Sequence, residues 1–186
     1  MSPLSIPRSP EPAPPTVRRA QLTDVRTIWE LVGQFAANGS MLARSMSEIA
    51  AKIDSYVVAA GDGNRVLACA ALEEFSPSLG EVASVAVARS EHGKGLGTEV
   101  VLGVERLARA RNIEELFAMS LTDNFFLSLG YETTTVSRYP EKLARYELLK
   151  SSGVEVVPKR CFKKKLNMEW AAPELMQDEG ERRIAS

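Results

Sequence analysis

The chain is short of the residues that hold metals: it has one histidine, His92, and two cysteines, Cys69 and Cys161, far apart in sequence. A lone imidazole and two distant thiols do not form the closely spaced ligand sets of a zinc site, so no resident metal is expected. The absence of a C-x-x-C pattern argues for a reducing compartment and against a disulfide scaffold. Charge of one sign is also lacking, since 23 Lys and Arg face 24 Asp and Glu for a formal net charge of -1. Such a balance provides no global field for nucleic acid or an anionic membrane, and neither is expected as a partner. No apolar run approaches the roughly 18 residues of a membrane span, and none near the start resembles a secretion signal, which predicts a soluble, cytoplasmic protein. A small-molecule partner is the expectation that remains.

What is present suffices for one domain: 186 residues, 45% of them hydrophobic. Six of the ten prolines fall in residues 1–15, which rules out helix and central strand there, while 171–186 is polar without an apolar period. Both ends are expected to be disordered, leaving a working domain over 16–170. Within it, the spacing of Val25, Ile28, Trp29, Val32, Phe35 and Ala36 predicts a helix with one buried face. Ser45 and Glu48 form a capping box for a second helix over 46–54. Gly61-Asp62-Gly63-Asn64 predicts a hairpin turn between strands at 56–60 and 65–75, and a third strand runs over 80–88. A helix is then expected to about 111, a short strand over 116–119, a short helix over 123–129, and a strand from Tyr131. A helix after Pro140 and a final strand around 161–166 complete a mixed α/β order.

Between the third strand and its helix lies His92-Gly93-Lys94-Gly95-Leu96-Gly97. Alternating glycines that lead into a helix N-terminus aim several backbone N–H groups and the positive end of the helix dipole at one point, which suits a pyrophosphate. Glycine permits close approach of phosphate oxygens and positive φ. A Walker loop is excluded, because Gly97 is followed by Thr98-Glu99 where a lysine and a hydroxyl residue are required. A dinucleotide fold would place the loop after the first strand.

This strand, loop and helix, over 81–108, resemble the acetyl-CoA-binding motif of the GNAT acetyltransferase superfamily, with His92 where the family has Arg or Gln. Phe125-Phe126-Leu127-Ser128-Leu129-Gly130-Tyr131 resembles a second signature of that family. The resemblance implies a GNAT fold: a twisted mixed sheet of about six to seven strands flanked by helices, with acetyl-CoA in a cleft where strands splay. It implies cofactor contacts from the backbone of Val85, Ala86 and Val87 and from the loop residues His92, Gly93, Lys94, Gly95, Leu96, Gly97 and Thr98. Many members protonate the leaving thiolate with a tyrosine where this chain has Phe126; Tyr131 sits at a position that usually packs.

A closer resemblance, carried by Val17-Arg18-Arg19-Ala20, Leu42-Ala43-Arg44-Ser45, Ala68-Cys69-Ala70-Ala71-Leu72, the stretch 80–87 and Leu116-Phe117-Ala118-Met119-Ser120, is to the acetyltransferase domain of N-acetylglutamate synthases. These open arginine biosynthesis by acetylating the α-amine of glutamate through direct attack on the thioester. Two carboxylates call for two separated cationic forks. By resemblance Arg44, with Leu42 beside it, grips the α-carboxylate and Arg160 the side-chain carboxylate. Ser84 and Ser120 also fall at substrate-facing positions. Glu81 matches the proposed general base, ahead of its competitors Glu73 and Glu74, and the Val85 N–H is placed to stabilise the oxyanion. The basic cluster Lys159, Arg160, Lys163, Lys164 and Lys165 reads as alternation on an edge strand. Another small amine, such as glutamine, a polyamine, an antibiotic or a protein N-terminus, stays open as acceptor, as do a catalytically silent CoA sensor and a homodimer.

Overall fold

The computed structural model describes residues 13–167. Of the tails expected at 1–15 and 171–186, all but residues 13–15 lie outside that range. Seven strands make one sheet: β1 (Thr16–Arg19), β2 (Tyr56–Ala60), β3 (Val66–Ser76), β4 (Leu79–Val87), β5 (Glu115–Ser120), β6 (Glu132–Thr134) and β7 (Arg160–Lys165), in the order β1-β2-β3-β4-β5-β7-β6. Every pairing is antiparallel except β4 with β5. The expected hairpin between β2 and β3 turns through Gly63 and Asn64, both at positive φ.

Helices cover both faces. On one, α3 (Leu96–Ala110) buries Val100, Val101, Val104 and Ala108 against Val57, Ala68, Ala70, Leu116 and Ala118. On the other, α1 (Val25–Ala36) and α2 (Met46–Ala51) bury Ile28, Leu31, Val32 and Ile49 against Val58, Cys69 and Ala71. The capping box of Ser45 and Glu48 forms as expected, but α2 ends three residues early because the chain tightens into a 3-10 turn at Ile53–Ser55. Trp29, assigned to the buried face by its spacing, is 42% exposed. At about 100° per residue it sits well off the stripe centred on Ile28 and Val32.

One element differs in position. The final strand, read as an edge, lies between β5 and β6, because the strand expected from Tyr131 forms as Glu132–Thr134 and pairs with its outer side. Two of its three lysines are partnered: Lys164 donates to both Glu105 carboxylate oxygens and to the Leu129 carbonyl, and Lys163 pairs with Glu132. Two further helices, α4 (Asp123–Ser128) and α5 (Pro140–Ser151), flank this end of the sheet.

Gly103 sets how closely α3 can sit on the sheet. A Cβ there would lie 2.6 Å from Val57 Cγ1. Alanine favours a helix by about 1 kcal/mol over glycine, but overpacking a core costs about 1–3 kcal/mol. Gly103→Ala is therefore expected to lower the urea unfolding midpoint, and Val57→Ala in the same chain to recover part of it. A stabilised single variant would show that the contact is not tight.

Candidate active site

β4 and β5 run side by side only from the Leu79–Glu115 pair to the Val82–Ala118 pair. Beyond Val82, β4 stays on β3 through a register shift in which Ala83 to Ala86 face Cys69 to Ala71, three steps against two. The additional residue is accommodated at Ser84, whose φ is 52°. A bulge of this kind bends its strand and increases twist. Consequently the β5-facing edge of β4 is unpaired over its last five residues, and a cleft of about 600 Å³ opens beside it.

Into this cleft the structure brings Leu42, Arg44, Glu81, Ser84, Val85 and Ser120, six of the residues nominated from sequence. Ser120 is held by a turn in which its hydroxyl donates to the Thr122 carbonyl at 2.9 Å and accepts from the Thr122 N–H at 3.0 Å. Glu81 is 4% exposed, and Lys142 Nζ on α5 donates to both its oxygens at 2.8 and 2.7 Å. Each oxygen keeps a second lone pair for a further partner. Glu73 and Glu74, the competing acids, do not line the cleft. Glu74 takes a bond from Arg111 at 2.5 Å, whereas buried Glu73 accepts from Arg44 (3.2 Å), Lys52 (3.0 Å) and Arg145 (3.0 Å).

Arg44 is thus anchored by one nitrogen, and its Nε is buried without a hydrogen-bond partner. Burial alone would raise the Glu73 carboxyl, but Lys52, Arg44 and Arg145 outweigh it and hold the group below the ordinary carboxylate value. Arg160 is placed elsewhere. Its guanidinium pairs with Asp123 at the start of α4, two-thirds exposed, and it does not line the cleft. The strand register puts Arg160 opposite Ser120, and the ion pair with Asp123 engages its guanidinium outside the hollow. Lys159, one residue earlier, lines the cleft and donates from Nζ to the Ser40 carbonyl at 2.7 Å. Burial, with help from neighbouring Lys142 and against the pull of Glu81, pushes its ammonium down from the usual lysine value.

The glycine loop adjoins the other end of the unpaired edge. Gly93 and Gly95 stand at φ of 78° and 82°, and a Cβ on either would meet no atom within 4 Å, so the backbone there is bare toward solvent. Gly97 lies in the first turn of α3, in contact range of Phe125 and Val87. His92 does not project freely: its Nε2–H donates to the Val87 carbonyl at 3.0 Å. Lys94 pairs with Glu91 at 3.0 Å within the loop. These positions fit a diphosphate, with exposed amides and a dipole at the start of a 15-residue helix. Among the described residues no group of three or more His, Cys, Asp or Glu is arranged to hold a metal.

Sequence reasoning missed Lys142 and Tyr146, which reach the cleft from α5, and the segment Val154–Val157, which closes one side of it. On its own α5 reads as a weakly amphipathic, solvated helix, so its lysine had no signal. A second hollow, of about 520 Å³ near Ser76, Arg138 and Lys165, lies at the opposite ends of β4 and β5 and contains none of the nominated residues. In open sheets with parallel strands, ligands gather beyond the carboxyl ends, which favours the splay.

The splayed mixed sheet and the glycine loop that leads into α3 describe the fold, and comparison with known proteins identifies the class. Residues 24–131 match the model of the acetyltransferase (GNAT) family. The chain belongs to the GNAT acetyltransferase family. It is 32% identical to an uncharacterized N-acetyltransferase of Chlorobaculum tepidum over 69% of this chain and 83% of that protein. It is 31% identical to an amino-acid acetyltransferase of Pseudomonas fluorescens over 67% of this chain, spanning only 29% of that longer protein. Among solved structures, N-acetylglutamate synthase from Neisseria gonorrhoeae, complexed with coenzyme A and N-acetyl-glutamate, superposes with a TM-score of 0.72 at 27% identity, covering 83% of this chain and 36% of that one. A Mycobacterium tuberculosis protein in complex with CoA shares the fold, with a TM-score of 0.71 at 23% identity over 82% of this chain and all of that one.

The Glu73 cluster makes a pH prediction. A carboxyl held below its unfolded value stabilises the folded state at neutral pH, and that contribution is lost as pH falls from about 4 through the lowered folded value. Glu73→Gln is expected to lower the urea midpoint at pH 7 and to flatten its decline as pH falls below about 4 relative to the native chain. An unchanged slope would mean that Glu73 does not carry it.

Proposed function

We propose that this acetyltransferase passes the acetyl group of acetyl-CoA to the α-amine of L-glutamate. The observation that carries the reading is the cleft itself, where Arg44, with a buried and unpartnered Nε, stands beside Leu42 across from Glu81 and the free edge of β4. Arg44 is suited to the α-carboxylate because Glu73 occupies one nitrogen and fixes the guanidinium plane, leaving the rest of the fork for a paired contact. The relatives named amino-acid acetyltransferase and the neighbour solved with N-acetyl-glutamate support the same acceptor class.

The donor is acetyl-CoA. Its diphosphate would rest on the amides of Gly93 to Gly97, and its pantetheine arm would take the β5-facing edge of β4 around Val85 to Val87. The amine nitrogen bonds to the acetyl carbon, the carbon–sulfur bond breaks, the amine loses a proton and the thiolate gains one. Glu81 serves as the carboxylate that draws off the ammonium proton, through the lone pairs that Lys142 leaves open. The N–H of Val85 faces the developing oxyanion. Ser84 and Ser120 line the acceptor side.

Thiol release from acetyl-CoA, measured with a panel of glutamate, glutamine, aspartate, other amino acids and polyamines, tests the reading. Strong turnover with glutamate is expected, and turnover confined to polyamines or to nothing in the panel would overturn it. Arg44→Ala should raise the KM for glutamate about ten- to a hundredfold, since a charge-assisted bond contributes about 1.5–3 kcal/mol. Unchanged KM would discard that role. Glu81→Gln is expected to lower kcat by about 10² to 10⁴. Because it strands the Lys142 ammonium, Glu81→Gln combined with Lys142→Gln separates the kinetic loss from lost stability.

A further inference from the structure

Five cations gather at or behind the cleft, and four of them have carboxylate partners. Lys142 is bound by Glu81, while Arg44, Lys52 and Arg145 share Glu73. Lys159 is the exception: among the described residues no carboxylate lies within ion-pair distance of its Nζ, although the side chain is half-buried in the cleft wall. Its one hydrogen bond is to the carbonyl of Ser40. An ammonium has three donors, so two remain. An ammonium withdrawn from water without an anion is unfavourable, and a bound anion relieves that cost.

Resting on the glutamate reading above, we propose that Lys159, rather than Arg160, is the residue that recognises the side-chain carboxylate of the acceptor and so sets the preference for an acidic amino acid. Three observations converge. Arg160 is turned outward to Asp123, whose carboxylate already satisfies it. Lys159 reaches the cleft from the segment before β7, while Arg44 reaches it from the loop between α1 and α2, so the two cations approach from different parts of the chain. The Ser40 carbonyl that steadies Lys159 belongs to that same loop, four residues before Arg44, and fixes one cation relative to the other. An acceptor with carboxylates at both ends satisfies both positions, whereas an amide at the far end leaves the Lys159 ammonium without a counter-charge.

The test is steady-state kinetics of thiol release for the native chain, Lys159→Met, Lys159→Gln and Arg160→Ala, each with glutamate and with glutamine. Methionine preserves the apolar stem and glutamine preserves polarity without charge, so at least one neutral variant should remain folded, as checked by its thermal midpoint. The expected result is a tenfold or greater rise in the KM for glutamate in both neutral variants, little change in the KM for glutamine, and no more than a twofold change in either KM for Arg160→Ala. A glutamate-specific loss in Arg160→Ala alone would overturn the proposal and restore the strand arginine. Equal losses for glutamate and glutamine in the Lys159 variants would also overturn it, making Lys159 a prop for the Ser40 loop. If the native chain uses neither amino acid, the glutamate reading itself fails and the proposal falls with it. Native turnover with unaffected Lys159 variants would sink the proposal alone.

Discussion

The divergence of β4 from β5 is the constraint from which the site follows. A parallel pair that stayed in register would use the hydrogen-bonding groups of both strands and leave no cleft. Here β4 has one residue too many for its partner β3 between Ala83 and Ala86, and Ser84 absorbs it at a φ of 52°, where residues other than glycine are uncommon. A serine held in this conformation by the surrounding sheet is the kind of local strain found where function needs an irregular backbone. The Sγ of buried Cys69 lies 3.6 Å from the Ser84 carbonyl, and burial pushes that thiol up to about 12, so it is inert packing beneath the bulge. Once β4 leaves β5, its free edge and the glycine loop that follows it are placed by chain connectivity, while Arg44, Ser120, Lys142 and Lys159 reach the cleft from distant parts of the chain.

The charges beneath the splay are arranged at a cost. A buried ion pair such as Glu81 with Lys142 contributes little net stability, because desolvating both groups offsets their attraction, yet losing one partner costs about 3–5 kcal/mol. Hydrophobic residues would serve a purely structural purpose as well. At the cleft floor the pair, with Lys142 also 4.9 Å from the centroid of the Tyr146 ring, holds the Glu81 carboxylate in one place. The Arg44–Glu73 contact follows the same logic: one carboxylate is shared among three cations, of which Arg44 faces the cleft.

Much of this architecture was legible because local chemistry dictated it. The capping box of Ser45 and Glu48, the turn at Gly63-Asn64 and the positive φ of Gly93 and Gly95 each follow from what those side chains permit. Arg44 and Glu81 were legible only through resemblance, because nothing in their spacing distinguishes them from solvated charges. Lys159 and Arg160 could not be told apart by sequence at all. The choice depends on where β7 begins and on Asp123 lying within reach of the strand residue, and both are tertiary facts. Lys142 was hidden for a similar reason, since α5 gains its meaning only from the surface it covers.

The second aromatic signature bears on the proton balance. Phe126 is buried, stacked on Phe162 at 5.8 Å and edge-on to Tyr131, so it is core and offers no proton. The Tyr131 hydroxyl is buried near Glu105 without a formed hydrogen bond, on the α3 side of the sheet, and burial pushes it far above the ordinary phenol value. Tyr146 does line the cleft, but burial and the nearby Glu81 raise it as well. A thiolate of ordinary pKa, about 8.5, takes a proton from such phenols only uphill. The transfer does not need one, since the attacking amine releases a proton for every thiolate formed. On the proposed reading, a fixed carboxylate at Glu81 that accepts this proton and passes it to the departing sulfur, directly or through water, closes the cycle with no further acid, which fits Phe126 lying in the core.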